Sequence, residues 1–116
     1  MIAFEISLNG KRVCLAGGDD LAVLSACVTA CGKLGKQTVP GRPDDTTGEI
    51  HYWVGGLTAR RDPKKDVHVN WKSSAPLQVG DVIEVKVLET EEADRARSRT
   101  KANRKRGQPR PFNQRR

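Results

Sequence analysis

The sequence predicts a small α+β domain, built as a β-hairpin, then one helix, then three strands, with a disordered basic tail at its C-terminal end. Three observations carry that prediction. Residues 2–8 alternate in polarity and run into Asn9-Gly10, residues 21–31 set apolar side chains at helical spacing behind two aspartates, and positive charge is concentrated in the last 22 residues. The domain is expected over residues 1–90 and the tail over 91–116, with a short helix at the start of the tail.

In the first segment Ile2, Phe4, Ile6 and Leu8 fall on one side and Ala3, Glu5 and Ser7 on the other. That is the period of a half-buried strand. Asn9 and Gly10 both tolerate the positive φ of a type I′ turn, and Val13 and Leu15 resume an inward pattern, so residues 2–16 read as a hairpin.

Asp19 and Asp20 can cap a helix and complement its dipole. Behind them Leu21, Leu24, Val28 and Cys31 form one stripe, and Gly32 stands where a helix stops. Residues 33–48 turn to Gly, Pro, Lys, Asp and Thr, with Pro40-Gly41-Arg42-Pro43 among them, which predicts a long loop.

Strand character returns where Ile50, Tyr52 and Val54 oppose His51 and Trp53, and it is expected to stop at Gly55-Gly56. A second strand sets Val67, Val69 and Trp71 opposite His68 and Asn70; the connection between them carries Arg60, Arg61, Lys64 and Lys65. Leu77-Gln78-Val79-Gly80-Asp81 then reads as a turn into a last strand, with Ile83, Val85 and Val87 facing in.

This order of elements, closed by a strand entered through a Gly80-Asp81 turn, resembles the β-grasp or ubiquitin-like fold. Residues 75–87 are similar to the end of sulfur-carrier and TGS-type domains of that class. The succession Val54 to Leu57, His68 to Trp71 and Val79 to Asp81 also resembles that of a family of small bacterial proteins of uncharacterised activity, and it implies no chemistry. A β-grasp modifier needs a free terminal Gly-Gly, whereas this sequence closes on Gln114-Arg115-Arg116, so conjugation is not expected. Gly55-Gly56 is expected to let a strand bend or pass close to another backbone.

No apolar run approaches the roughly 20 residues that span a bilayer, and the first residues lack the layout of a signal peptide or a myristoylation site. A cytoplasmic protein without membrane contact is expected. Its three cysteines, an odd number, fit a reducing compartment. Cys27 and Cys31, one helical turn apart, could share a metal with Cys14 and either His51 or His68, but the spacing is not that of a zinc ribbon or knuckle. Core packing is the expectation for the cysteines, with no metal and no cofactor. Asp19-Asp20 reads as a helix start and Asp44-Asp45 as turn chemistry, and no phosphate loop, dinucleotide fingerprint or nucleophile elbow is present, so no enzyme is expected.

Two regions remain as binding candidates. His51, Trp53, His68 and Asn70 would share the outer face of the sheet and suit a protein partner. Within the tail, residues 95–116 hold Arg95, Arg97, Arg99, Lys101, Arg104, Lys105, Arg106, Arg110, Arg115 and Arg116 and no acid, whereas residues 1–94 hold 11 basic and 14 acidic residues. Thr90, Glu91 and Glu92 can start a short helix there, with Arg95 four residues after Glu91. A mostly arginine segment releases counterions from a phosphate backbone, which predicts contact with nucleic acid or another polyanion, with RNA ahead of DNA and little sequence selectivity. Phe112 is the only aromatic in the tail, so repeated base stacking there is not expected. The alternative is a protein-interaction module that uses the outer sheet face, the tail being incidental.

Overall fold

The computed structural model describes residues 1–39 and 48–102. The hairpin forms as its alternation dictates, β1 (Ile2–Leu8) pairing with β2 (Lys11–Gly17). Asn9 and Gly10 hold φ of 53° and 83°, both in the left-handed region that a type I′ turn requires. Asn9 is then locked across the chain: its amide donates to Asp81 Oδ1 at 3.0 Å, and its Oδ1 accepts from the Val82 N–H at 2.9 Å.

The helix expected after Asp20 is a strand, β3 (Leu21–Cys31), which corrects the α+β assignment and the β-grasp reading with it. Apart from the short 3-10 turn Pro63–Lys65, the described residues contain no helix. Leu24, Ala26 and Val28 also alternate, the irregularity between Leu21 and Val23 lets Leu21 pack against the core with Leu24 and Ala26, and a run containing Val23, Val28 and Thr29 loses side-chain freedom in a helix. Pairing decides the matter, because β4 (Glu49–Thr58) lies antiparallel to β3 from Leu21↔Thr58 to Cys31↔Glu49. Asp20 caps nothing: its carboxylate meets Arg60 Nε at 2.9 Å, and its carbonyl accepts from Ala59 N.

β4 does not stop at Gly55-Gly56 but continues through them. A side chain at Gly56 would collide with the Val23 carbonyl, and one at Gly55 would lie 2.8 Å from the Val69 carbonyl. The glycines are what let the neighbouring backbones approach. β5 (Val67–Pro76), β6 (Ile83–Glu89) and β7 (Ser98–Lys101) complete the two antiparallel sheets, ordered β2-β1-β6 and β3-β4-β5-β7.

The sheets share one core of Ile6, Cys14 and Ala16 from the first and Tyr52, Val54, Val69 and Trp71 from the second. Ile83 packs against it as expected, but Val85 and Val87, although aligned with Ile6 and Phe4, are exposed on the edge strand β6.

Residues 91–102, expected as the beginning of a free tail, are instead bonded to both sheets. No helix starts at Thr90. The segment instead crosses from the first sheet to the second. Asp94 N donates to the Leu15 carbonyl at 2.8 Å, Arg97 N donates to the Asn70 carbonyl at 2.7 Å, and β7 then pairs with β5 from Asn70↔Ser98 to Val67↔Lys101. The fold thus runs twelve residues beyond the boundary expected at 90. No described helix is long and apolar enough to cross a membrane.

Candidate nucleic-acid interface

Alternation sends Tyr52 and Val54 of β4 into the core and leaves Trp53 on the outer face of the second sheet. In β5 it does the same, with Val69 and Trp71 buried and His68 and Asn70 outward. The registers Val23↔Leu57↔His68 and Ser25↔Gly55↔Asn70 align these positions in two rows. A cleft of about 190 Å³ opens there, lined by Val23, Ser25, Trp53, Leu57, His68 and Asn70.

The sequence-predicted face is thereby largely drawn together. Trp53, His68 and Asn70 line the cleft, while His51, two residues from Trp53, lies toward the other end of β4 opposite Thr29 and Pro76. Val23, Ser25 and Leu57 are not singled out by the sequence pattern. The helical reading conceals Val23 and Ser25, although the i, i+2 spacing of Val23, Ser25 and Cys27 is a signal for them. Leu57 is concealed because β4 is expected to end before it.

Beside the cleft runs β7. Ser98 and Thr100 pair with Asn70 and His68 and so share the outer face. Arg99 and Lys101 alternate to the other side and are exposed on a strand at the sheet edge. Arg95 and Arg99 line a second cleft of about 250 Å³ together with Asp20 and Asp94, whose carboxylates offset the cationic charge there.

At its C-terminal end β7 meets a basic corner built on a buried carboxylate. Asp66 and Thr58 are fully buried. Thr58 Oγ1 donates to Asp66 Oδ1 at 3.1 Å, the Arg60 N–H donates to the same oxygen at 2.6 Å, and the Val67 N–H donates to Thr58 Oγ1 at 2.9 Å. Ala102 N donates to the Asp66 carbonyl at 3.0 Å, so the chain leaves β7 against this corner. Arg60 also bonds the Lys65 carbonyl, which with its Asp20 ion pair makes it a structural brace. Arg61, Lys64 and Lys65 are exposed around the 3-10 turn.

Of the other sequence-predicted basic residues, Arg95 and Arg97 lie on the crossing segment, whereas Arg104, Lys105, Arg106, Arg110, Arg115 and Arg116 lie outside the described residues, as do Asp44 and Asp45. The cysteines separate. Cys14 is in the core, where burial first and the Asp94 carboxylate second push its thiol pKa up; Cys27 is half-buried opposite Trp53, and Cys31 is exposed. Among the described residues no group of three or more His, Cys, Asp or Glu gathers into a metal-binding set.

No protein-family model, curated protein or solved structure matches this chain.

Proposed function

We propose that this is a non-enzymatic binding protein of the cytoplasm that contacts nucleic acid, RNA ahead of DNA, with little sequence selectivity, through its arginine-rich C-terminal region and the basic corner beside it. The observation that carries this reading is the juxtaposition of β7 with the Pro63–Lys65 turn. Residues 95–101 hold four basic residues and no acid, and Ala102 is pinned to Asp66, next to Arg61, Lys64 and Lys65. The cationic footprint therefore extends from the C-terminal segment onto the folded domain. Free thiols at Cys14, Cys27 and Cys31 fit a reducing compartment. A protein-interaction module using the outer face is the second reading, favoured by the apolar side chains of Trp53, Leu57 and Val23 in the cleft.

The test is fluorescence anisotropy of labelled mixed-sequence RNA and duplex DNA with the full chain over a salt series. The wild-type protein should bind RNA with a steep dependence on salt. Charge reversal at Arg61, Lys64 and Lys65 should flatten the slope by about 0.7–0.9 for each phosphate that is no longer neutralised. Salt-independent binding, or none at physiological ionic strength, rejects the reading and turns attention to protein partners.

A further inference from the structure

We infer that the Trp53 cleft is a subsite for one unpaired base of a single-stranded polynucleotide, a proposal that rests on the nucleic-acid reading above and specifies its ligand. At about 190 Å³ the cleft falls below the roughly 300–1,000 Å³ of pockets that enclose a whole small molecule. It suits one planar group of a ligand held mainly elsewhere.

The shape and chemistry of the lining point the same way. Trp53 Cζ3 lies 3.4 Å from the position a Cβ on Gly55 would occupy, so the indole extends along its own strand over a residue that has no side chain. Asn70 Oδ1 reaches the same spot, 2.6 Å from that Cβ position, so only glycine at 55 permits both approaches. Ring and amide thus both lie beside Gly55. An aromatic face stacks on any base, and the hydrogen-bonding groups of Asn70, His68 and Ser25 stand around it for the base edge. The Asn70 amide is held internally by a 3.5 Å contact to Ser98 Oγ, the outer limit of a hydrogen bond, which leaves it available to a ligand.

The adjacent strand is polar on this face. Ser98 and Thr100 present hydroxyls there, whereas Arg99 and Lys101, exposed on the same edge strand, alternate to the other face. A base in the cleft would run its sugar-phosphate backbone over these hydroxyls toward the sheet edge. A duplex could not, because its bases are paired and stacked; extruding one costs a few kcal/mol, on the order of a single good contact. The proposal therefore predicts preference for single strands.

The experiment measures binding of the full-length protein, near physiological salt, to a labelled 12-nucleotide single-stranded RNA and to an abasic phosphodiester of equal length and charge. Wild-type protein should favour the intact strand, and that strand should quench Trp53 emission, with Trp71 as a buried background and Trp53→Phe as the control that loses the quenching. Trp53→Ala should weaken binding of the intact strand by about 5- to 150-fold, the equivalent of about 1–3 kcal/mol for one stacked base, and leave the abasic strand unaffected. Trp53→Leu, which keeps apolar bulk over Gly55 without a π face, should behave in the same way. Equal, salt-sensitive binding of both strands by wild-type protein would overturn the base subsite while leaving the nucleic-acid reading standing. Binding of neither strand would remove both. Displacement of the RNA by a glutamate-tyrosine copolymer as readily as by unlabelled RNA would overturn the subsite in favour of a peptide site.

Discussion

The indole Nε1–H of Trp71 donates to the backbone carbonyl of Asp94 at 2.7 Å. This bond ties a core side chain of β5 to the segment that carries the chain from β6 to β7. Asp94 is held on its other sides too, since its carboxylate accepts from the Leu15 N–H and meets Arg12 at 3.3 Å. The segment from Arg95 to Lys101 is therefore anchored to the core instead of hanging from its surface.

Trp71→Phe leaves the Asp94 carbonyl without this donor and is expected to cost about 1–3 kcal/mol. Hydrogen exchange should then accelerate over residues 94–102 more than in β1 or β2. Exchange that stayed unchanged in that segment would assign its anchoring to β7 pairing alone.

Asp66→Ala removes the acceptor of both Thr58 Oγ1 and the Arg60 N–H in a buried setting. A loss of about 2–6 kcal/mol is expected in urea denaturation, because each stranded buried donor costs about 1–3 kcal/mol. Thr58→Val, which takes the acceptor from the Val67 N–H but keeps the bond from Arg60 to Asp66, should cost less. If the two variants were equally stable, Asp66 would not be the centre of the corner.

The Asp81 carboxyl sits below the usual carboxylate range, first because the Gln78 N–H donates to it and second because the Asn9 amide does. A depressed pKa means that the folded state favours the ionised form. Its stabilising effect is fully present above the unfolded pKa of about 3.9 and is lost as pH falls through the lower folded value. Thermal melts from pH 7 down to pH 2 should show wild-type protein more stable than Asp81→Asn at neutral pH, with the two converging in acid. A constant gap across that range would contradict the assignment.

Thiol reactivity should divide by burial. Disulfide-exchange titration at pH 8 should modify exposed Cys31 rapidly and Cys14 only after denaturation, since burial raises the Cys14 pKa and blocks access. Cys31→Ser should remove the fast phase. Persistence of that phase would place the reactive thiol elsewhere.

How far the sequence could be read depends on the range of the interactions involved. The hairpin was legible because alternation and Asn9-Gly10 are neighbours in the chain and specify each other locally. Residues 21–31 were not, because their apolar pattern satisfies both periods and the choice rests on β4, whose last paired residue, Thr58, is 37 positions from Leu21. The end of β4 is hidden in the sequence for a related reason. Gly55 and Gly56 read as breakers in isolation, yet in the sheet they are where β3, β5 and the Asn70 side chain come close.

The candidate site divides in the same way. Alternation alone put Trp53, His68 and Asn70 on outward faces of their strands, and composition alone separated the basic C-terminal region from the slightly acidic remainder. That these side chains share one cleft depends on the β4–β5 register, and that Arg95 to Lys101 belong to the domain depends on bonds to Leu15, Asn70 and Trp71, all distant in sequence. By itself the sequence determined the local turn, the strand faces and the charge distribution, which are properties of neighbouring residues. Only the tertiary structure decided that 21–31 is a strand and that 91–102 rejoins the second sheet, because backbone N–H and C=O groups select their partners from the whole chain.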